Sequence, residues 1–320
     1  MKRFLKKLAL FVTIILSLAT AGQILIGIRI KGKSVRGHDN LHIVKNQQND
    51  IVFLGSSRCL THFDPHLFEQ KSGLKAVNIG VEGHSELPVH ILRLEDYLLK
   101  NKAPKFAILN FDPLMYAGSF RENTNFVHKD DFARYAFLCP AEDTLFINYF
   151  RFSFADRYIP LYALLKYKLF FDCLTLRNVS AWPKYGYARN DTHWDTLSNP
   201  VNMAFVENYF DTTSASLARM KVQLDSLNTL CRQNGIKLIC IQTPMYKAVH
   251  IKPYYDLTGQ LCHEMNIPFF DLNSDSLDNN VGYFYNIDHL NTEGVEVMTN
   301  NLFADEGFLR QLGEPLLGRR

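Results

Sequence analysis

IVFLGSS (Ile51–Ser57) is a short apolar run, rich in β-branched residues, that stops at Gly-Ser-Ser. Such a run reads as a strand buried on both faces that feeds a helix-capping turn. Working outward, LKAVNIG (Leu74–Gly80) reads as a second strand ending at glycine, and FAILNF (Phe106–Phe111) as a third, introduced by Pro104. IKLICIQTP (Ile236–Pro244) and IPFFDL (Ile267–Leu272) supply a fourth and a fifth. Between them the apolar spacing turns helical. Leu87, Ile91, Leu94 and Leu98 share one face over 86–99, as do Leu217, Met220, Leu224, Leu227 and Leu230 over 213–234, with Gly235 as the stop. A further helix is predicted over 254–265. Strands separated by helices predict an α/β fold: a three-layer α/β/α sandwich around a five-stranded parallel sheet, with its first strand central. In such sheets ligands gather beyond the carboxyl ends of the strands.

The stretch 113–212 breaks this rhythm. It is rich in Phe and Tyr (FINYFRFSFADRYIPLYALLKYKLFF, 146–171) and too long for an ordinary loop. It reads as a largely helical insertion, either a lid over the strand ends or additional core helices. At the other end, Lys2, Arg3, Lys6 and Lys7 precede an apolar stretch from Leu8 to Ile30, long enough for a bilayer of about 30 Å. Ala19-Thr20-Ala21 has the small-x-small form of a signal-peptidase site. The apolar character continues through Ile24, Leu25, Ile26 and Ile28, which favours an uncleaved signal anchor. The expected organisation is an anchor over 1–30, a linker over 31–49 and one domain over 50–320 that contains the insertion.

Charge narrows the partners. The 35 Lys and Arg against 32 Asp and Glu leave +3, and no dense basic cluster follows residue 36, so nucleic acid is not expected as a partner. Six cysteines (Cys59, Cys139, Cys173, Cys231, Cys240, Cys262) show no C-x-x-C pair and no zinc spacing, and read mostly as buried thiols. His62, His66 and His84 fit no metal template.

Three segments fall at strand ends: Gly55-Ser56-Ser57-Arg58, then Asn78-Ile79-Gly80-Val81-Glu82-Gly83-His84-Ser85, and Asn286-Ile287-Asp288-His289-Leu290-Asn291. In this order and at these positions they resemble the SGNH/GDSL hydrolase superfamily, in its membrane-anchored bacterial envelope form. The resemblance covers about residues 50–112 and 213–302 and implies the flavodoxin-like SGNH fold. It implies Ser57 as nucleophile, His289 as the base that takes its proton, and backbone N–H groups of Ser57 and Gly83 as oxyanion donors. Two departures stand out. The family's Asp three residues before the histidine is Asn286 here, so the third partner is Asn286, the adjacent Asp288 if the loop bends, or neither. The family's Gly-x-Asn-Asp block is replaced by Leu109-Asn110-Phe111-Asp112-Pro113, where Asn110 is the candidate third oxyanion donor. Asn190-Asp191-Thr192-His193-Trp194 also resembles the acid–base string of alginate acetylation proteins, or else is an exposed loop with a packed Trp.

The resemblance implies a serine esterase or O-acyltransferase without cofactor or metal, acting through an acyl-serine on an acylated, O-acetylated cell-envelope glycan or other ester. It implies a single-pass inner-membrane protein held by its N-terminal helix, with the catalytic domain in the periplasm or outside the cell. The alternative, favoured by Asn286, is an inactive member that binds a glycan or envelope partner.

Overall fold

Strands buried on both faces need helices on both sides, and the five apolar runs meet that requirement in one parallel sheet. The computed structural model describes residues 1–36, 48–83, 86–112, 115, 132–139, 150–181, 184–198, 214–247 and 252–313. Numbered along the chain, the elements are α1 (Lys2–Arg29), β1 (Lys33–Val35), β2 (Ile51–Leu54), α2 (Ser57–His62), α3 (Pro65–Ser72), β3 (Ala76–Asn78), α4 (Leu87–Lys100) and β4 (Phe106–Asn110). There follow α5 (Phe154–Tyr158), α6 (Tyr162–Lys166), α7 (Phe170–Thr175) and β5 (Val179–Ala181). The chain ends with α8 (Ser214–Gln233), β6 (Lys237–Gln242), α9 (Lys252–Glu264), β7 (Phe269–Asp271), α10 (Asp275–Asp278), α11 (Thr292–Ala304) and α12 (Glu306–Leu312).

These elements fall into two units, 1–42 with 126–182, and 43–125 with 183–320. In the second, all strands of the sheet run parallel in the order β3-β2-β4-β6-β7. The first strand of the sheet, β2, is therefore interior but not central, a correction to the expected topology; β4 takes the middle. The chain leaves β2 towards β3 on one side and resumes at β4 on the other, so the loops after β2 and β4 diverge there, as in a flavodoxin-like sheet. Every side chain of β2, β3 and β4 is buried. Ile51, Phe53, Ile108, Ile239 and Ile241 share one core with Phe63, Phe68, Met298, Leu302, Phe303 and Phe308 from α2, α3, α11, α12 and their flanks. On the opposite face α4 packs against α8 and β2, and α8 against β6.

The first unit departs from the expected boundaries. Residues 33–35 are not part of a plain linker: β1 pairs antiparallel with β5, Lys33 opposite Ala181 and Val35 opposite Val179. Arg36 binds the Asp172 carboxylate at 3.0 Å. The insertion 113–212 is likewise not one body. Residues 126–182 group with the N-terminal helix, whereas 184–198 packs into the sheet unit. There the Ala188 N–H donates to Leu60 O at 2.8 Å, and a Cβ at Gly186 would stand 1.9 Å from Asn78 O. Residues 116–131, 140–149 and 199–213, and most of the expected linker (37–47), lie outside the described residues. α1 itself is apolar enough to cross a membrane, with a mean hydropathy of 2.2 over its best window.

One glycine sets the turn that starts α2. Gly55 has φ +151°, and a Cβ there would lie 2.6 Å from Cys59 Cβ and 3.0 Å from Asn110 Cβ. Gly55→Ala is expected to cost about 3 kcal/mol, from backbone strain and overpacking together. Urea unfolding of the full chain in detergent measures it.

Candidate active site

The turn after β2 puts a helix N-terminus at the carboxyl edge of the sheet. Ser56 caps it, its Oγ accepting from the Arg58 N–H at 3.3 Å. Between Ile51 and Phe63 every residue is buried except Ser57, which is half-exposed. Standing in the first turn of α2, the Ser57 N–H has no acceptor within the helix. A side chain and an N–H are thus offered together at one spot.

His289 meets Ser57 across the sheet edge, its Nε2 lying 2.9 Å from Ser57 Oγ. Its other nitrogen faces two acceptors: Nδ1 is 2.9 Å from Asp288 Oδ1 and 3.0 Å from Asn286 Oδ1. The Asn286 oxygen also accepts the backbone N–H groups of Asp288 (3.1 Å) and His289 (2.9 Å), which fixes the orientation of its amide. With acceptors on both sides, Nδ1 carries the proton of a neutral ring. Nε2 is then the bare nitrogen and accepts from the Ser57 hydroxyl. Asn286 and Asp288 therefore share the ring. The side chains of Asp288 and His289 would diverge on extended chain, but the Asx turn made by Asn286 curls 286–289 and folds Asp288 back onto its neighbour. Burial works to raise the Asp288 carboxyl, but His289, its hydrogen bond and the Arg58 guanidinium outweigh that and hold it below its ordinary value.

The helix that carries the serine also holds the histidine loop on both sides of the ring. Arg58 Nε donates to Asp288 O at 3.1 Å, and the Leu290 N–H donates to His62 Nε2 at 2.9 Å. Arg58 is fully buried. Its Nη2 donates to Thr243 O (2.5 Å) and Pro244 O (3.0 Å), and its Nη1 stands 3.8 Å from Asp112 Oδ1. Asp112 in turn accepts from Ser56 Oγ at 2.5 Å. His62 Nε2 is an acceptor, so its proton sits on Nδ1, 2.8 Å from Thr243 Oγ1. Burial, then Arg58 and His289, push its pKa well below the ordinary 6.5. The Tyr285 ring stacks on His289 with centroids 5.3 Å apart.

The remaining sequence candidates fall around this centre. Asn78 is a structural tie: its Nδ2 donates to Cys59 O (2.7 Å) and Phe63 O (3.0 Å), clamping α2 to β3. Gly83 stands two residues after Val81, whose N–H donates to Gly55 O at 2.8 Å, so its turn (φ +72°) lies beside the start of α2. His84 and Ser85 lie outside the described residues. Asn110 is corrected. It is fully buried, and with both ends of its amide satisfied it donates to Thr243 Oγ1 and Ile241 O and accepts from the Cys59 N–H. An amide so engaged beneath α2 does not face a reacting carbonyl.

The Asn190–Trp194 string braces the histidine loop from behind. The Thr292 N–H donates to Asn190 O (2.9 Å), Thr292 Oγ1 to Asp191 Oδ1 (2.6 Å), and His193 Nδ1 to Gly282 O (3.0 Å), while Trp194 is buried. His193 thus points its ring nitrogen at a backbone carbonyl and not at Ser57. Among the described residues no cluster of three or more His, Cys, Asp or Glu side chains could hold a metal. His66 binds its own helix neighbour Gln70. Sequence reading gave Arg58, Asp112, His62 and Tyr285 no part in holding the site. The available signal was an arginine directly after the serine, on a helix of six residues that otherwise enters the core.

His62 makes the fold sensitive to acid. An unfolded histidine takes up a proton as pH falls through about 6.5, whereas the buried ring does not until lower pH. Stability present at pH 7.5 is therefore lost progressively below 6.5. In His62→Phe that slope is expected to vanish. The orphaned Leu290 N–H should meanwhile cost about 2 kcal/mol at pH 7.5. Urea midpoints at several pH values read both effects.

No family model and no curated protein matches the sequence. Among solved structures, the chain is similar to one described as a "putative acylhydrolase" from Bacteroides fragilis, with a TM-score of 0.39 and 14% identity over 84% of this chain and 91% of that one. It is also similar to a GDSL-like lipase from Bacteroides thetaiotaomicron, with a TM-score of 0.34 and 12% identity over 79% and 87% of the two chains. Likeness at this level carries no argument about what the chain does.

Proposed function

We propose that the chain is a serine esterase or O-acyltransferase working through an acyl-serine at Ser57. The observation that carries this reading is the Ser57–His289 pair at 2.9 Å, with the far nitrogen of the ring held by a carboxylate. Ser57 Oγ adds to an ester carbonyl while its proton passes to His289 Nε2. The imidazolium that forms faces ionised Asp288, so the charge absent from position 286 comes from position 288. The N–H groups of Ser57 and Gly83 receive the oxyanion, each such donor being worth about 10²–10³ in rate. On collapse, His289 returns the proton to the departing alkoxide. A water or a sugar hydroxyl then attacks the acyl-serine, with His289 again as base. With Asp288 in place, Asn286 no longer favours an inactive binding protein.

The substrate follows from the resemblance and the helix α1. An acylated, O-acetylated envelope glycan suits an enzyme anchored in a membrane with its sheet unit on the outer side. This step is family analogy resting on the Ser57, Gly83 and His289 motifs.

A fluorophosphonate should label the full chain in detergent on the Ser57 peptide, and Ser57→Ala should take no label. Turnover of p-nitrophenyl acetate should fall by about 10³ or more in Ser57→Ala. Equal rates in the variant and the parent would sink the proposal. Asp288→Asn should cost about 10²–10⁴ in kcat, because the ring keeps an acceptor but loses the charge. Asn286→Ala should cost less, since it loosens the turn and leaves the carboxylate. If Asn286→Ala is the more damaging of the two, Asp288 is not the acid.

A further inference from the structure

The unit formed by α1, β1, α5–α7 and β5 carries large apolar side chains in the open. Phe154 is 75% exposed, Leu165 56% and Phe171 71%, with Tyr158, Ile159 and Leu174 also exposed. Scattered single apolar residues need no explanation, but this many on three short neighbouring helices marks a surface made for something.

One hydrogen bond sets where that surface stands along α1. The Leu161 N–H, between α5 and α6, donates to Gln23 Oε1 at 2.5 Å. Gln23 lies six residues before Arg29, where α1 ends. At a rise of 1.5 Å per residue the contact sits about 9 Å back along the helix, within its apolar stretch. Gln23 and Ile26 are the buried residues of α1. The unit thus overlaps the last two turns of the apolar helix and does not merely follow it. Gln23, which interrupts that stretch, has its amide oxygen satisfied by protein at the depth where water would be scarce.

Composition agrees with the depth. Residues 150–177 hold five Lys and Arg against two Asp. Both acids are paired, Asp156 with Lys166 at 3.1 Å and Asp172 with Arg36 at 3.0 Å. Exposed aromatic rings beside cations are the chemistry of the bilayer interface, where rings sit at headgroup level and Lys and Arg meet anionic lipid. Lys166 stands 5.8 Å from the centroid of exposed Tyr162 and Arg157 5.6 Å from that of exposed Tyr158.

We propose that α5–α7 form a second membrane contact, lying in the interface of the leaflet from which α1 emerges, with Phe154, Leu165 and Phe171 entering the acyl–headgroup boundary. The proposal rests on the reading of α1 as a membrane anchor. An interfacial element of this kind buries its apolar side about 5–10 Å deep, which matches the position of the Gln23–Leu161 bond.

The full chain, reconstituted in vesicles of phosphatidylcholine and phosphatidylglycerol, tests it by depth-dependent quenching. Tryptophan is introduced one position at a time, as Phe154→Trp, Phe171→Trp and, within α1, Ser17→Trp, and the emission of native Trp182 and Trp194 is subtracted with the parent chain. Lipid brominated along its acyl chains should lower the emission of both Phe154→Trp and Phe171→Trp about twofold, with acrylamide in the aqueous phase nearly without effect. Ser17→Trp should be quenched by the same lipid. Quenching at Ser17→Trp alone, with Phe154→Trp and Phe171→Trp open to acrylamide, overturns the proposal and leaves the anchor standing. Emission at Phe154→Trp and Phe171→Trp that neither quencher reaches means that a protein surface covers the face, and overturns it as well. No lipid quenching at Ser17→Trp removes the anchor, and the proposal with it.

Discussion

A buried guanidinium holds the carboxyl edge of the sheet together. Arg58 is wholly enclosed and reaches the segments that follow β4, β6 and α10, through Asp112, the carbonyls of Thr243 and Pro244, and the carbonyl of Asp288. Taking a charge out of water costs several kcal/mol, which one ion partner at 3.8 Å does not repay. Three carbonyls supply what the carboxylate alone does not. What the arrangement gains is position: the residue after the serine is fastened to the residue before the histidine. A hydrophobic replacement of the same volume could keep the fold, but it would leave Ser57 and His289 on independent loops.

The histidine is fixed by several weak constraints that agree. Its backbone neighbours are held by Arg58 and His62, one turn apart on α2. Its ring is held by the Asx turn at Asn286 and the carboxylate of Asp288, and covered by Tyr285. Behind the loop, Asn190, Asp191 and His193 bind Thr292 and Gly282. None of these bonds is strong alone. A ring so confined loses little further entropy when a proton moves, which is the practical meaning of preorganisation at such a centre.

The parallel strands were legible in the sequence because strands buried on both faces are written as unbroken apolar runs. The serine was legible because it follows such a run and opens a helix, and the histidine because it stands in the short polar loop that leads into α11. What lay hidden were the polar groups that act from inside. Arg58 looks like a surface residue until its burial is known, and Asn110 looks available until its amide is traced to Cys59 and Thr243. The rule that adjacent side chains diverge failed at Asp288 because Asn286 bends the chain locally. Gln23, a polar residue in an apolar run, is the point where the insertion grips the helix. A sheet also fixes who neighbours whom only once its order is known, and the sequence did not say that β4 would be the middle strand.

Ser57 and His289 meet across 232 residues of chain. Any ester chemistry at this centre waits on the last strand and the loop after it, because an unpaired serine is a poor nucleophile at neutral pH. While the chain is being made, the segment that holds Ser57 emerges long before the one that holds His289. Contacts so distant in sequence carry a large loop-closure cost and slow folding. The Ser57–His289 pair therefore exists only once residue 289 has been made and folded into place, and a product truncated before it carries the serine without its partner.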